Sequence, residues 1–338
     1  MMKDNYLKLF SCCFATKGFL RSIIVDTQRS EFYFVPNELY EILITDQEVT
    51  FKEILIKYGK ENESIINEYV SFLLEKDLAF FTKEPKAFPE ISQDFTSPRR
   101  ITNAIIDMDE NSSYDCSNAI KELDALDCEG LQIRIFCLKP IGFYNALAII
   151  LNETNQLKTV EIVMPFNAEF VKEKSYSAIL KKCILINRLI IFNSPYTEEI
   201  FEKIGSILFF TKCAILNESH CGNISKEYFT TDIENIIESI QYNSCLYKKV
   251  SIDRFGNIKN CPSMTKSFGH IGQSSIKDII RDTEFTSIWH INKDQIKICK
   301  DCEFRSVCTD CRAYLQNPKD IYSKPSKCKY NPYTAIWE

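Results

Sequence analysis

The sequence predicts an α/β chain in three parts, and three observations carry that prediction. Residues 1–84 read as strands, then helices, then a closing strand. Residues 100–240 alternate strand with helix, the pattern of a parallel sheet. Residues 241–338 carry cysteines at the spacing of metal ligands. A chain of 338 residues is long for one core and is expected to divide. Residues 85–99, PKAFPEISQDFTSPR, mix Pro, Ser and charge and read as a linker between the first two parts.

In the first part, strands are expected at Tyr6–Phe10, Leu20–Asp26 and Glu31–Val35, the last two joined by the polar turn TQRS. PNELYEIL opens a helix at Pro36, a residue tolerated in a first turn. TFKEILIKYG has Thr50 as cap with Glu53 three residues on, and stops at Gly59. NESIINEYVSFLLEKDL sets Ile65, Ile66, Tyr69, Val70, Phe72, Leu73 and Leu74 on a broad apolar face. AFFT closes the unit as a strand. Three strands, three helices and a strand make a small winged-helix plan. Such modules commonly bind DNA, but residues 1–84 hold 10 basic and 14 acidic side chains, the wrong balance for a phosphate backbone. Peptide binding and a purely structural role stay open.

In the second part, strands are expected at Ile101–Met108, Leu131–Cys137, Thr159–Val163, Arg188–Phe192 and Ile207–Phe210, with a further one in KCAIL near 212–216. Helices such as SNAIKELDAL and FYNALAIILNE lie between them. The implied parallel sheet is either open or curled into part of a barrel. Nine glycines are present, and none forms G-x-G-x-x-G or a phosphate-binding loop. Cys183 and Cys213 sit in apolar segments and are expected in the core. The adjacent Cys12 and Cys13 are placed in an N-terminal loop, where a structural role is favoured because neighbouring cysteines bridge only with strain.

Seven of the fifteen cysteines fall in the last 94 residues: Cys245, Cys261, Cys299, Cys302, Cys308, Cys311 and Cys328. Cys299 and Cys302 form one C-x2-C pair, Cys308 and Cys311 another. Such a pair turns two thiolates toward one ion, in zinc sites and iron–sulfur clusters alike. Scattered core thiols do not explain two pairs five residues apart, and a disulfide framework needs an oxidising compartment. A zinc site on the four paired cysteines is an open alternative. It leaves Cys245, Cys261 and Cys328 unused, whereas an iron–sulfur reading employs all seven.

Charge is uneven along the chain. The net charge is -5, yet residues 245–338 carry 16 basic against 10 acidic side chains. That local surplus would suit nucleic acid. It equally suits clusters, since a four-thiolate [4Fe–4S] unit carries roughly two negative charges. The cluster account is preferred, and no nucleic acid is expected as partner. No apolar run approaches the roughly 18–20 residues needed to cross a membrane, so no membrane partner is expected. The start, MMKDNYLKLFSCCFATKGF, lacks the apolar core and cleavage site of an export signal. With many thiols, this leads to the expectation of a reducing, cytoplasmic setting.

The pattern C-x10-G-x4-C, gap, C-x2-C-x5-C-x2-C, gap, C resembles the SPASM domain, the cluster-binding C-terminal extension of many radical S-adenosylmethionine peptide-modifying enzymes. VSIDRFGNIKNCPSM resembles that domain's cysteine-bearing hairpin, and GHIGQSSIKDIIRDTEFTSIW its connecting helical segment. The family usually has three residues between its last paired cysteines; here there are two, Thr309 and Asp310. The resemblance implies two [4Fe–4S] clusters. Cys299, Cys302, Cys308 and Cys328 would hold one, and Cys245, Cys261 and Cys311 the other. Cys221, in SHCGNIS, is the candidate for the missing fourth ligand, with His220 as substitute and an ordinary loop thiol as the third option.

In the same context, residues 100–240 resemble the partial (βα)6 barrel of radical S-adenosylmethionine enzymes. Residues 1–84 resemble the RiPP recognition element, which grips the leader of a ribosomal precursor peptide by strand addition. The C-x3-C-x2-C motif that binds the S-adenosylmethionine-cleaving cluster does not occur: the corresponding loop, DMDENSSYDC, offers Cys116 alone. No S-adenosylmethionine is therefore expected. A SPASM-like chain without that motif resembles the peptide maturase of grasp-with-spasm systems, and KGFLRSIIVDTQRSEFYFVPNELYEIL and HCGNIS add to the likeness. That family implies two partners, a ribosomal precursor peptide and an ATP-grasp ligase that makes the side-chain esters or amides. The expected function is a maturation factor that binds the precursor and two clusters. A cluster-dependent redox enzyme and a zinc-stapled peptide-binding protein are the alternatives.

Overall fold

The computed structural model describes residues 4–45, 49–202 and 205–338. The chain forms two compact units, one from Met1–Thr96, Asn223–Ser244 and Ile291–Glu338, the other from Ser97–Gly222 and Cys245–His290. The cysteine-rich C-terminal stretch is therefore distributed over both.

The first unit opens with β1 (Tyr6–Leu9), β2 (Cys13–Lys17), β3 (Ser22–Asp26) and β4 (Glu31–Val35). Helices α1 (Asn37–Ile44), α2 (Phe51–Tyr58) and α3 (Glu63–Glu75) follow, then β5 (Ala79–Thr82). The reciprocal Thr50–Glu53 capping box forms, and Gly59 ends α2 at φ 84°. Two differences from expectation stand out. Four strands precede the helices, because Cys13–Lys17 pairs antiparallel with β3; this takes Cys13 out of a loop. On α3 the buried stripe is Ile66, Val70 and Leu73, while Ile65 is exposed. Strands β1 and β5 pair as a separate ribbon, and β2–β3–β4 form a three-stranded sheet.

That small sheet is apolar on both faces. Successive side chains of a strand point to opposite sides, and all five residues of β3, SIIVD, are buried. Ile24 joins a core with Leu39, Ile42, Ile54, Ile66, Val70 and Leu73 of the helices. Ile23 and Val25 join another with Phe304, Val307, Cys308 and Tyr330, and with Ile236 of α8 (Ile233–Gln241). The segment from 291 onward is mostly irregular, with short 3-10 turns as its helical elements, and closes on a two-residue hairpin, Tyr330–Asn331 with Ile336–Trp337. It lies against the β3 face. Arg21 pairs with Glu303 at 2.8 Å, Thr16 shares a 2.7 Å hydrogen bond with Ser306, and Phe19 N–H donates to Asp301 O at 2.8 Å.

The second unit is built on β6 (Asn103–Met108), α4 (Cys116–Asp124), β7 (Gly130–Ile135), α5 (Ile141–Asn152), β8 (Thr159–Pro165), α6 (Ala168–Lys172), α7 (Ser175–Lys182) and β9 (Ile186–Phe192). Strands β10 (Glu198–Phe201) and β11 (Ile207–Phe210) complete this run. Later come β12 (Lys249–Ile252), β13 (Asn257–Lys259), β14 (Gly269–His270), α9 (Ile276–Ile279) and α10 (Thr283–Ser287). The sheet has nine strands in the order β10-β11-β9-β8-β7-β6-β12-β13-β14, with parallel pairing from β11 to β12.

Five expected strands are present, but KCAIL is not one. Thr211 and Cys213 prolong the β9–β11 hydrogen bonds for a few residues, and Cys213 is exposed, not in the core. The outer position beside β11 belongs to β10. A short turn after β9 sends the chain back without a helix, so β10 runs antiparallel. On the other side, β12 of the cysteine hairpin pairs parallel with β6, Lys249 opposite Asn103. Cys183 is buried as expected.

Candidate metal centres

In the second unit, the hairpin β12–β13 places two thiols near one another. Cys245 lies in the turn before β12 and Cys261 two residues past the end of β13. The register pairs Ser251 with Lys259, so Lys249 stands opposite Cys261. The turn between the strands needs its glycine. Gly256 has φ 84°, and a Cβ there would lie 2.6 Å from His270 Nε2. Asp253 Oδ1 accepts from both Phe255 N–H and Asn257 N–H at 2.9 Å and locks that turn.

Cys221 follows a short 3-10 turn, Glu218–His220, and Ser263 Oγ donates to Glu218 O at 3.1 Å. That bond ties the Cys221 loop to the segment beyond Cys261. Lys249 Nζ donates to Cys245 Sγ at 3.5 Å. Burial opposes the Lys249 ammonium, yet Cys245, Cys261 and Cys221 beside it hold its pKa above the ordinary value. Burial, with Cys245 and Cys221 nearby, pushes the Cys261 thiol up to about 12. Cys221 and Cys261 also act on Arg134, whose Nε and Nη2 both donate to Asp107 at 2.6 Å. Lys249 thus touches Cys245 and feels the charge of Cys261 and Cys221.

In the first unit, Cys299 opens a 3-10 turn, Cys302 leads into the next, and Cys308 follows that one. Cys328 bridges to Ile224. Lys293 is buried and donates to Cys308 Sγ at 3.3 Å. Burial pushes the Cys299 thiol up to about 11, against the pull of Lys293, with Asp310, Cys308 and Cys328 adding to the rise. Burial raises Cys302 and Cys308 too; Cys308 feels Lys293 and Cys328, and Cys302 feels Cys308. These four thiols form a second group.

Asp310, between Cys308 and Cys311, is fully buried. It receives Asn243 Nδ2 at 2.7 Å and Arg312 Nη2 at 2.8 Å, and lies 3.8 Å from Lys293 Nζ. Cys311 is buried in the same unit. Lys249, Lys293 and Asp310 carried no sequence signal, because charged residues at those spacings are ordinary on a surface.

The donor sets are cysteine thiols, which fit an iron–sulfur cluster. Zinc holds thiolates at about 2.3 Å, which sets tetrahedral sulfurs about 3.8 Å apart. Among the described residues, only Cys12, Cys13 and Asp26 bring three ligand atoms within 4.8 Å of one another. No three of the described C-terminal thiols lie that close together. The Cys12–Cys13–Asp26 group has its carboxylate engaged: Asp26 accepts from Gln28 N–H, Arg29 N–H and the Arg29 side chain at 2.7–3.1 Å. Burial and Cys12 raise the Cys13 thiol.

A cavity of about 310 Å³ lies in the first unit, along the outer edge of β2. Thr16, Tyr40, Ile240, Lys293 and Ser306 are among the residues that line it. Lys293 joins it to the Cys308 thiol.

Residues 244–303 match the family model of SPASM, an iron-sulfur cluster-binding domain. No curated protein matches the chain. Among solved structures, the chain is similar to Streptococcus suis SuiB bound to S-adenosylmethionine, at 10% identity and a TM-score of 0.35, covering 95% of this chain and 99% of that one. It is similar to SuiB alone, at 10% identity and a TM-score of 0.35, covering 94% and 99%. It is also similar to SuiB bound to the precursor peptide SuiA, at 9% identity and a TM-score of 0.34, covering 95% and 99%. Cys245, Gly256, Cys261, Cys299 and Cys302 thus lie in a stretch that matches SPASM, an iron–sulfur cluster-binding domain, and Cys308, Cys311 and Cys328 lie beyond it.

Proposed function

We propose that this protein is a maturation factor for a ribosomally synthesised peptide, carrying two [4Fe–4S] clusters and acting beside an ATP-grasp ligase. The observation that carries the reading is a lysine set against a cysteine sulfur in each unit, Lys249 on Cys245 and Lys293 on Cys308, in a chain whose residues 244–303 match a cluster-binding domain. Cys299, Cys302, Cys308 and Cys328 hold one cluster. Cys245, Cys261 and Cys221 belong to the other. When bound, the clusters supply electron transfer or a structural clasp. The protein's own side chains seat them, shield them from water and compensate their charge.

Precursor recognition is assigned to the first unit, read as a winged-helix RiPP recognition element. Edge strand β4 offers the means. Gly18 N–H donates to Arg21 O, and Thr27 N–H to Cys12 O. Hydrogen-bonded pairs alternate along an antiparallel ladder, so β3 reaches β2 through Ile23 and Val25, and β4 through Ser22, Ile24 and Asp26. The main-chain groups of Phe32 and Phe34 therefore face outward. Helix α3 flanks this edge, with the Tyr33 and Phe72 rings 6.1 Å apart. An extended leader would pair with Phe32 and Phe34 and lay side chains on α3.

A second reading, a redox enzyme acting on the peptide, is favoured by one observation. The cavity beside β2 is lined by Lys293, which touches a candidate cluster ligand. The two readings separate on anaerobically reconstituted full-length protein. Iron and sulfide near eight per chain support both; about one zinc and no iron overturns both and leaves the zinc-stapled binder. Modified precursor formed without the ligase makes the protein an enzyme; modification that needs the ligase makes it the accessory factor. For recognition, Phe34→Pro removes one outward N–H without breaking the β3 ladder. It should weaken leader binding at least tenfold, and unchanged affinity would overturn the β4 assignment.

A further inference from the structure

We propose that Lys249 and Lys293 are fixed counter-charges, one to each cluster, and that each sets the reduction potential of its own cluster. The inference rests on reading these thiols as cluster ligands. Lys293 is buried with its Nζ 3.3 Å from Cys308 Sγ. Lys249 is half-buried with its Nζ 3.5 Å from Cys245 Sγ. Lysine is seldom found inside a protein unless paired, and each of these ammonium groups points at sulfur. The two sites are built alike although one lies in each unit and their lysines come from different kinds of element. Lys249 begins β12, and Lys293 opens a 3-10 turn.

The electrostatics give the direction. Thiolates on a cluster carry net negative charge into a partly dry site, which is costly without a compensating cation. One-electron reduction adds a further negative charge. An ammonium within hydrogen-bond reach of a ligating sulfur stabilises the reduced state more than the oxidised one, so it raises the potential. Asp310 tempers Lys293 from 3.8 Å, but Arg312 neutralises Asp310 in turn, so the group retains net positive charge. Neither lysine reacts; both are positioning residues.

The test is a potentiometric titration, followed by electron paramagnetic resonance, of the full-length reconstituted protein with dithionite as reductant. Lys249→Met and Lys293→Met are compared with Lys249→Arg and Lys293→Arg, after iron and sulfide have been counted in each. Each Met variant should move one midpoint to more negative potential and leave the other in place, with different midpoints moving in the two variants. Each Arg variant should keep the wild-type value. Unmoved midpoints in loaded Met variants overturn the proposal, as does an Arg variant that shifts as far as its Met counterpart. If a Met variant fails to load iron, recovery of loading with Arg supports the counter-charge, and failure of both overturns it. Wild-type protein without iron overturns the cluster reading itself, an outcome separate from loaded protein with unmoved potentials.

Discussion

Asp310 concentrates several demands in one side chain. It is fully buried, receives Asn243 and Arg312, and lies within ion-pair range of Lys293. Removing one partner of a buried charge network leaves the others uncompensated, at a cost of about 3–5 kcal/mol. Asp310→Ala should therefore lower the unfolding midpoint strongly in denaturant melts, and a loss within experimental error would contradict the network. Gly256 makes a backbone demand. Any side chain there meets both a left-handed φ of 84° and His270 at 2.6 Å. Gly256→Ala should cost about 1–3 kcal/mol in thermal unfolding. Asp26 supplies a pH signature. Burial resists its charge, but the Arg29 side chain and the Arg29 and Gln28 N–H groups outweigh that and hold its pKa below the ordinary carboxylate value. Its stabilisation is complete above the unfolded-state value, about 3.9, and is lost as pH falls through the lower folded-state value. Asp26→Asn should flatten the fall in stability below about pH 4, read from denaturant midpoints across acid pH.

Among the elements, β3 has the most consequential environment. Ile24 faces the helices, while Ile23 and Val25 face Phe304, Val307 and Cys308 of the C-terminal segment. Phe304 is buried and its ring lies 5.0–6.3 Å from those of Phe32, Phe34, Phe229, Tyr330 and Trp337. Phe304→Ala should cost about 3–5 kcal/mol. A fragment of residues 1–84 would expose Phe14, Ile23, Val25 and Phe32 together, so recognition of a leader has to be measured on the whole chain. The fragment should melt without a cooperative transition or self-associate; a sharp, monomeric melt would show that the C-terminal cover is dispensable.

For the whole molecule, the two units differ in what stabilises them. The second rests on a nine-stranded sheet with buried Ile105, Ile106, Ile133, Ile162, Leu189 and Ile191. The final segment of the first has short 3-10 turns and a two-residue hairpin, so little backbone hydrogen bonding holds it. Metal binding at such a segment is part of its folding free energy. Chelation of the proposed clusters should therefore raise hydrogen exchange in residues 291–338, and in β3 that packs on it, before β7 to β9. Uniform protection in metal-free protein would contradict that dependence. Among the described residues, no helix is long and apolar enough to cross a membrane.

By itself the sequence determined whatever depends on neighbours along the chain. The Thr50–Glu53 capping box, the Gly59 stop, the hairpin through TQRS and the strands β6, β7, β8, β9 and β11 follow from local spacing and period. The C-x2-C pairs and the glycine between Cys245 and Cys261 were equally legible, since a tight turn needs no distant partner. Tertiary structure alone decided the rest. CFATK became a strand because β3 offers it an edge, and KCAIL did not because β10 holds the place beside β11. Ile23, Ile24 and Val25 put apolar side chains on both faces of β3, but which segment covers the second face is set by contacts more than 250 residues away. Lys249, Lys293 and Asp310 read as surface charge in sequence and became interior groups only when folding brought thiols and a guanidinium to them. Cys221 reached the Cys245–Cys261 hairpin through a long-range hydrogen bond, Ser263 to Glu218, that no spacing encodes. Burial, charge pairing and sheet edges are properties of the assembled chain, and they chose among options the local sequence had left equal.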